Sequence, residues 1–408
     1  MRILRFPRRR LRALASRRKL GAVAAAVLAV IFVVAACDPA PNGKVDQLTI
    51  VGSDTTQEVM GQIANLYNIA TSYNTDHDVL QNILALQTTA KTVPADANCG
   101  QITWHTPAGS GELLAPNGST AGRDSLSFFV QAGNGCVDAA RSSAGPRPVG
   151  TAAGQDLPSF QYFAYALDAV GIASISSHVP AGGLTLAQVQ GIYNCTFTDW
   201  SQVGGTAGPI QRYWPQAGSG TRAFAQSDLL GGFDPTTVST ASCPPVILNE
   251  ENNPGLAIVA NGDQQTGIAP LSGAQFVAQS NGTDPNTLEG IRELNINGQN
   301  IIAGSGASAH LNTAPGPVQE SNVRLVNPTP AYPGIRYVFN VLDSTSKAYS
   351  QIAYFLGFGT DSGSKFKSPL CNNQFASVLT QYGFAPLSTA VDSVHNPAGS
   401  TCRLWKPS

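Results

Sequence analysis

The chain has 408 residues and is 42% apolar, enough for one large core or two ordinary ones. Charged residues make up only 12%, about half the usual ~25%. Nine of the 24 basic residues lie within 1–36, with no acid among them, which leaves 15 basic against 25 acidic groups beyond, net −10. So acidic a body argues against a broad phosphate-neutralising nucleic-acid face, but not against a small, local anion site.

In chain order, the basic start runs into an apolar stretch, Leu20 to Ala36, and then meets Cys37. That length suits the core of a signal peptide better than a membrane span. Val34-Ala35-Ala36-Cys37 resembles a bacterial lipobox, with cleavage before Cys37 and lipid on its thiol. An ordinary secretory signal and a retained anchor helix are the alternatives. Ser16-Arg17-Arg18-Lys19-Leu20 is loosely similar to a twin-arginine signal, and a general secretory route is equally open. Residues 1–36 therefore read as a signal peptide and 37–45 as a lipid-anchored tether.

Six cysteines remain: Cys99, Cys136, Cys195, Cys243, Cys371 and Cys402. An even count in an exported chain favours disulfides, and none of the spacings is that of a metal finger. Closing the shortest loops pairs 99 with 136, 195 with 243 and 371 with 402.

Gln47–Val51 has a strand pattern, broken by Gly52-Ser53-Asp54-Thr55-Thr56. Val59, Met60, Ile63 and Leu66 then recur at helical spacing. The same strand, polar loop, helix grammar returns around Ser119, and Val137–Ala140 leads into Arg141-Ser142-Ser143. Phe160–Ala173 is a long apolar run, strand-like in parts. Leu184–Tyr193 reads as a helix with Thr185 as candidate N-cap. Gln216–Thr221 opens a further helix, while Gly255–Ala260 and Thr266–Ser272 read as buried strands. Ile335–Leu342 is a strand and Ala348–Leu356 a helix. Alternating short strands and helices define an α/β protein, and the size suits two lobes.

Four polar loops are candidates for holding an anion. Gly218-Ser219-Gly220-Thr221 combines glycines, which let successive N–H groups point inward, with two hydroxyl donors. Arg212 and Arg222 flank it. The second loop offers Ser53, Thr55 and Thr56, the third Ser119 and Thr120, the fourth Arg141, Ser142 and Ser143. Arginine suits an oxyanion because its fork donates parallel hydrogen bonds. A plain helix cap or turn explains any one loop taken singly. None has the pattern of a nucleotide-binding loop.

The ordered set is more specific. Val51–Gln57, Pro116–Gly122, Cys136–Ser143, Phe163–Val170, Arg212 through Gly218–Arg222 and Thr266–Pro270, behind a lipobox, resemble the phosphate-binding lipoproteins of ABC importers, in the type II periplasmic-binding-protein superfamily. The likeness covers roughly residues 46–400 and is nearest an actinobacterial-looking branch. It implies a two-lobed clamp with mixed sheets: lobe one from 46–158 and 335–408, lobe two from 159–334. It implies ligand contacts from Thr55, Thr56, Ser119 and Ser142 in lobe one, and from Arg212, Ser219, Gly220 and Thr221 in lobe two. Ser53, Arg141, Ser143 and Arg222 are secondary candidates. Partners implied are inorganic phosphate or a related oxyanion, an importer permease and the membrane through Cys37, with a monomer acting without cofactor, metal or nucleic acid. Arg212 lies further from Ser219 than the family pattern has its arginine. Ser143 stands where the family commonly has an aspartate that accepts the proton of hydrogen phosphate; Asp54, Asp138 and Glu250 are the candidate replacements.

Two other classes compete. For a hydrolase, His77, His105, His178, His310 and His395 are scattered, and no nucleophile elbow is present. For a carbohydrate-binding or structural protein, Trp104, Trp200, Trp214 and Trp405 are candidate sugar platforms, although core positions suit each of them.

Overall fold

A computed structural model describes residues 47–71, 79–82, 116–133, 137–238, 243–248, 253–323, 332–358, 368–389, 395–396 and 399–408, all in the compact unit Pro41–Ser408. The expected signal peptide, Cys37 and the Cys99–Cys136 pair lie outside these residues.

Strand β1 (Gln47–Gly52) pairs in parallel with β2 (Val79–Asn82) and β3 (Ala139–Ser142). Between them run helices α1 (Gln57–Thr71) and α2 (Ser119–Ala132). Helix α1 forms where the 3.6-residue spacing puts Val59, Met60 and Ile63 on one stripe, packed with Leu48 and Ile50. Each such side chain contributes about 1.5–3 kcal/mol on burial. Gly133, in the left-handed conformation at φ 69°, ends α2.

Strand β4 (Phe160–Ser174) is the long apolar run, and almost all of it is buried. Helix α3 (Leu186–Tyr193) follows, capped by Thr185 as expected, with Gln188 completing a reciprocal capping box. Then come β5 (Gln211–Pro215), α4 (Gly220–Phe224) with a π turn at Ala225–Leu229, and β6 (Val246–Leu248). Next are α5 (Pro254–Ala260), β7 (Gly267–Ser272), α6 (Gly273–Asn281), β8 (Arg292–Glu293) and a small ribbon of β9 (Ile302–Ala303) with β10 (His310–Leu311). The chain closes with β11 (Ile335–Asp343), α7 (Tyr349–Leu356), α8 (Ala376–Gln381), β12 (Ala385–Pro386) and β13 (Arg403–Trp405).

One expectation is overturned. Gly255–Ala260 is helix, not strand. Asn253 accepts the Leu256 N–H at 3.3 Å and Pro254 takes the first helical position, both helix-start signals. So short an apolar run carries too little periodicity to separate the two states.

The main sheet has the order β2-β1-β3-β11-β4-β7-β5-β6, with β8, β12 and β13 also paired to β4. Parallel pairs occupy both ends. The antiparallel strands β11 and β4 join them, paired from Phe160–Asp343 to Ala169–Ile335 with a register shift between Val338 and Phe339. Beyond Ala169, β4 pairs instead with β7. A single strand therefore belongs to both halves of this mixed α/β sheet, the topology of a type II clamp. Disulfides Cys195–Cys243 and Cys371–Cys402 form as expected, with Cα–Cα distances of 6.1 and 4.9 Å. Loops of 48 and 31 residues so closed stabilise by about 3–4 kcal/mol each in the chain-entropy account.

Candidate functional site

The carboxyl ends of β1 and β3 lie side by side, so the loops that follow them are neighbours. The Ser53 hydroxyl donates to Ser143 Oγ at 3.1 Å. Ser119, first residue of α2, shares a hydrogen bond with Ser143 Oγ at 3.2 Å and accepts the Ser143 N–H at 2.9 Å. Three loops distant in sequence thus meet around one serine. Arg141 holds the arrangement from below. Its guanidinium donates to the carbonyls of Ser53, Ile50 and Gly52 at 3.0, 3.3 and 3.0 Å. Burial pulls its pKa down to about 10, against the raising influence of Tyr165, Asp54 and Glu58.

The other half of the sheet brings the Gly-Ser-Gly-Thr turn onto this wall. Thr120 N–H donates to the Gly218 carbonyl at 3.0 Å. Thr221 and Thr55 share a hydrogen bond at 3.3 Å. Gln275, at the start of α6, donates to the Thr55 carbonyl at 2.7 Å. Gly220 faces the serines so closely that an added Cβ would lie 2.2 Å from both Ser119 Oγ and Ser143 Oγ. Gly118, at φ 94°, must also be glycine, because a Cβ there would stand 2.6 Å from the Gly218 carbonyl.

Ser53, Thr55, Ser119, Ser143 and Thr221 are all essentially inaccessible. Their mutual O···O distances of 3.1–3.3 Å are long beside the usual ~2.7–2.8 Å for hydroxyl pairs.

The remaining candidates make other bonds, although Arg212 Nε and Nη2 are buried without partners. Ser142 donates to the Ala144 carbonyl at 2.7 Å, so Ser143 rather than Ser142 reaches the cluster. Thr56 donates to the Ser53 carbonyl at 3.4 Å, and Ser219 Oγ accepts the Arg222 N–H at 3.0 Å as the cap of α4. Arg212 donates to the Tyr193 carbonyl at the end of α3. Arg222 pairs with Asp234 at 3.0 Å and donates to the Pro215 carbonyl. Asp138 accepts the Thr49 N–H at 2.8 Å, Asp54 the Thr55 N–H at 2.9 Å, and Glu250 lies outside the described residues.

Arg336, Asp168 and Gln275 are the groups that sequence reasoning missed. Arg336 on β11 donates to Asp168 on β4 and, at 3.1 Å, to Thr221 Oγ1. A signal was present: a lone carboxylate in the apolar run 160–173 requires a partner. Only strand register shows which partner.

His310 bonds the Ser308 carbonyl and His395 stacks on Trp405, each away from the cluster. Trp200 and Trp214 are fully buried and offer no sugar platform, while Trp104 lies outside the described residues. Among the described residues no group of three His, Cys, Asp or Glu side chains is placed to hold a metal, and no helix is long and apolar enough to cross a membrane.

Residues 39–290 match the family model of the PBP superfamily domain. No curated protein matches the chain. Among solved structures, an ABC-type phosphate transport receptor from Vibrio cholerae is 18% identical, with TM-score 0.46, over 83% of this chain and 99% of its own. A human phosphate-binding apolipoprotein is 13% identical, with TM-score 0.46, over 83% and 90%. A phosphate-binding protein from Stenotrophomonas maltophilia is 15% identical, with TM-score 0.43, over 74% and 90%.

Proposed function

We propose that this chain, which belongs to the PBP superfamily, is an extracytoplasmic solute-binding lipoprotein that captures inorganic phosphate for an ABC importer by closing two lobes around it. The observation that carries this reading is the meeting of Ser53, Thr55, Ser119 and Ser143 with Gly220 and Thr221 in one buried cluster drawn from both halves of the sheet. Hydroxyls and N–H groups solvate an anion without a compensating free charge. Excluding water strengthens each contact. A ligand that binds the closed state better shifts the open–closed equilibrium towards it, and the permease reads the closed outline.

Lobe one is assigned to 46–158 and 335–408, and lobe two to 159–334. The anchor is lipid on Cys37, after removal of 1–36, with a short tether at 37–45. Placement in an actinobacterial-like branch rests on sequence resemblance alone. The protein acts as a monomeric binder rather than an enzyme, since capture breaks no bond and needs no base.

A second reading is favoured by one observation. Ser143 stands at the hub of the cluster, where an aspartate would accept the proton of hydrogen phosphate and repel a fully ionised anion. A hydroxyl both donates and accepts, so it serves hydrogen phosphate and also tolerates sulfate or another oxyanion. Calorimetry of the full chain in mild detergent, against phosphate and sulfate at pH 6 and pH 8, separates the readings. Tight binding of phosphate alone supports the first and comparable binding of both the second; silence towards both oxyanions contradicts each.

A further inference from the structure

Arg336 and Asp168 are register partners on β11 and β4, the strands that join the two halves of the sheet. Guanidinium Nε and Nη2 both reach Asp168 Oδ2, at 3.0 and 2.7 Å. The same Nη2 donates to Thr221 Oγ1 at 3.1 Å, and Thr221 in turn meets Thr55 at 3.3 Å. Phe224 lies 5.7 Å from the guanidinium carbon, and only 2% of Arg336 is exposed. Nη1 is buried and has no hydrogen-bond partner. Asp168 has little left to offer it, because its oxygens already accept from the Ser272 hydroxyl and the Ala274 N–H. A buried, charged donor without a partner is costly, and the hydroxyl cluster lies one side chain away.

We propose that Arg336 is the cation of this site and that its Nη1 donates to an oxygen of the bound oxyanion. The proposal deepens the oxyanion-binding reading and rests on it. Asp168 fixes the plane of the guanidinium, and Thr221 ties that plane to the Gly-Ser-Gly-Thr turn. The pair carries no net charge, so it presents the single donor group Nη1 instead of a free positive charge. One such N–H group, added to several neutral hydrogen bonds, suits a small tetrahedral anion. Arg222 is engaged by Asp234, and Arg212, whose Nε and Nη2 are likewise buried without partners, bonds the Tyr193 carbonyl through Nη1, whereas Arg336 bonds Thr221 of the cluster itself. The cation also comes from a joining strand. It is therefore in place before the turn arrives.

The test is calorimetric titration of the full chain in mild detergent with sodium phosphate and sodium sulfate. Wild type is compared with Arg336→Lys and with the double variant Arg336→Met/Asp168→Asn, which leaves no buried charge alone. The expected result is at least about tenfold weaker binding for Arg336→Lys, which keeps the charge but loses the fork, and about a hundredfold loss for the double variant, with melting temperatures near wild type. If the double variant does not fold, Arg336→Lys decides. Wild-type affinity in a folded variant overturns the proposal and leaves oxyanion binding standing. Failure of the wild type to bind either anion overturns both.

Discussion

The two walls that meet at the hydroxyl cluster are built differently. The wall of Ser53, Ser119 and Ser143 is anchored from beneath: Arg141 grips three carbonyls at the end of β1, and Gly122 leaves so little room that a Cβ there would come within 2.4 Å of Gly52 Cα. The wall of Gly220 and Thr221 is a five-residue helix running into a π turn, held by a serine cap and by Arg336 on a joining strand. The first wall sets the positions of the donors. The second is attached through a few polar contacts, which is what the proposed closure requires. Buried guanidinium groups serve both walls, one locking backbone and the other keeping a donor in reserve.

The largest expected effect breaks the anchored wall. Arg141→Met removes the guanidinium bonds to three carbonyls, of which that of Ser53 keeps the Thr56 hydroxyl, and should cost about 4 kcal/mol, read as a lower urea midpoint with unchanged m-value. A loss below about 1 kcal/mol would mean that the wall is held by packing instead. Next comes a titration in the second half of the sheet, near β8. Burial raises Glu293 to about 7 from its ordinary 4.5, although the N–H groups of Ile301 and Ile302 pull it down. A carboxyl raised on folding binds more protons in the native state. Its contribution is thus full below about 4.5 and is lost as pH rises through about 7, at most about 3 kcal/mol. Thermal melts of wild type should fall across that window relative to Glu293→Gln, and parallel profiles would contradict the assignment.

Gly220→Ala sharpens the comparison at the contact itself. The new methyl group enters the serine cluster, so phosphate affinity should fall about a hundredfold, near 3 kcal/mol, with little change in melting temperature. Undiminished binding would show that the walls need not meet this closely. Smallest is Thr185→Ala, which removes the cap of α3 far from the cluster. It should cost about 1 kcal/mol in chemical denaturation and leave anion affinity alone.

Much of the anchored wall was legible in the sequence. Ser53, Thr55 and Ser119 sit directly after strand patterns or at helix starts, and a local signal places them. Ser142 and Ser143 are adjacent, and choosing between them depends on where β3 ends, which pattern alone leaves open. The other wall was legible only as the Gly-Ser-Gly-Thr turn. Its arginines were chosen by nearness in the chain, yet Arg212 bonds the Tyr193 carbonyl at the end of α3 and Arg222 pairs with Asp234. Arg336 is 115 residues from Thr221, and only the β4–β11 register brings it there. Cross-strand partners at such separations leave no periodic trace. The helix at Pro254–Ala260 was missed for the opposite reason, a local one: a short apolar run looks alike in either state, and its asparagine cap was the deciding signal.

The most direct test locates the ligand. A crystal structure of the protein with arsenate, a phosphate analogue whose arsenic scatters anomalously, should show a peak between the walls. Its oxygens should lie within hydrogen-bond reach of Ser119, Ser143, Thr221 and Arg336. An arsenic peak elsewhere, or none at saturating arsenate, would contradict the account.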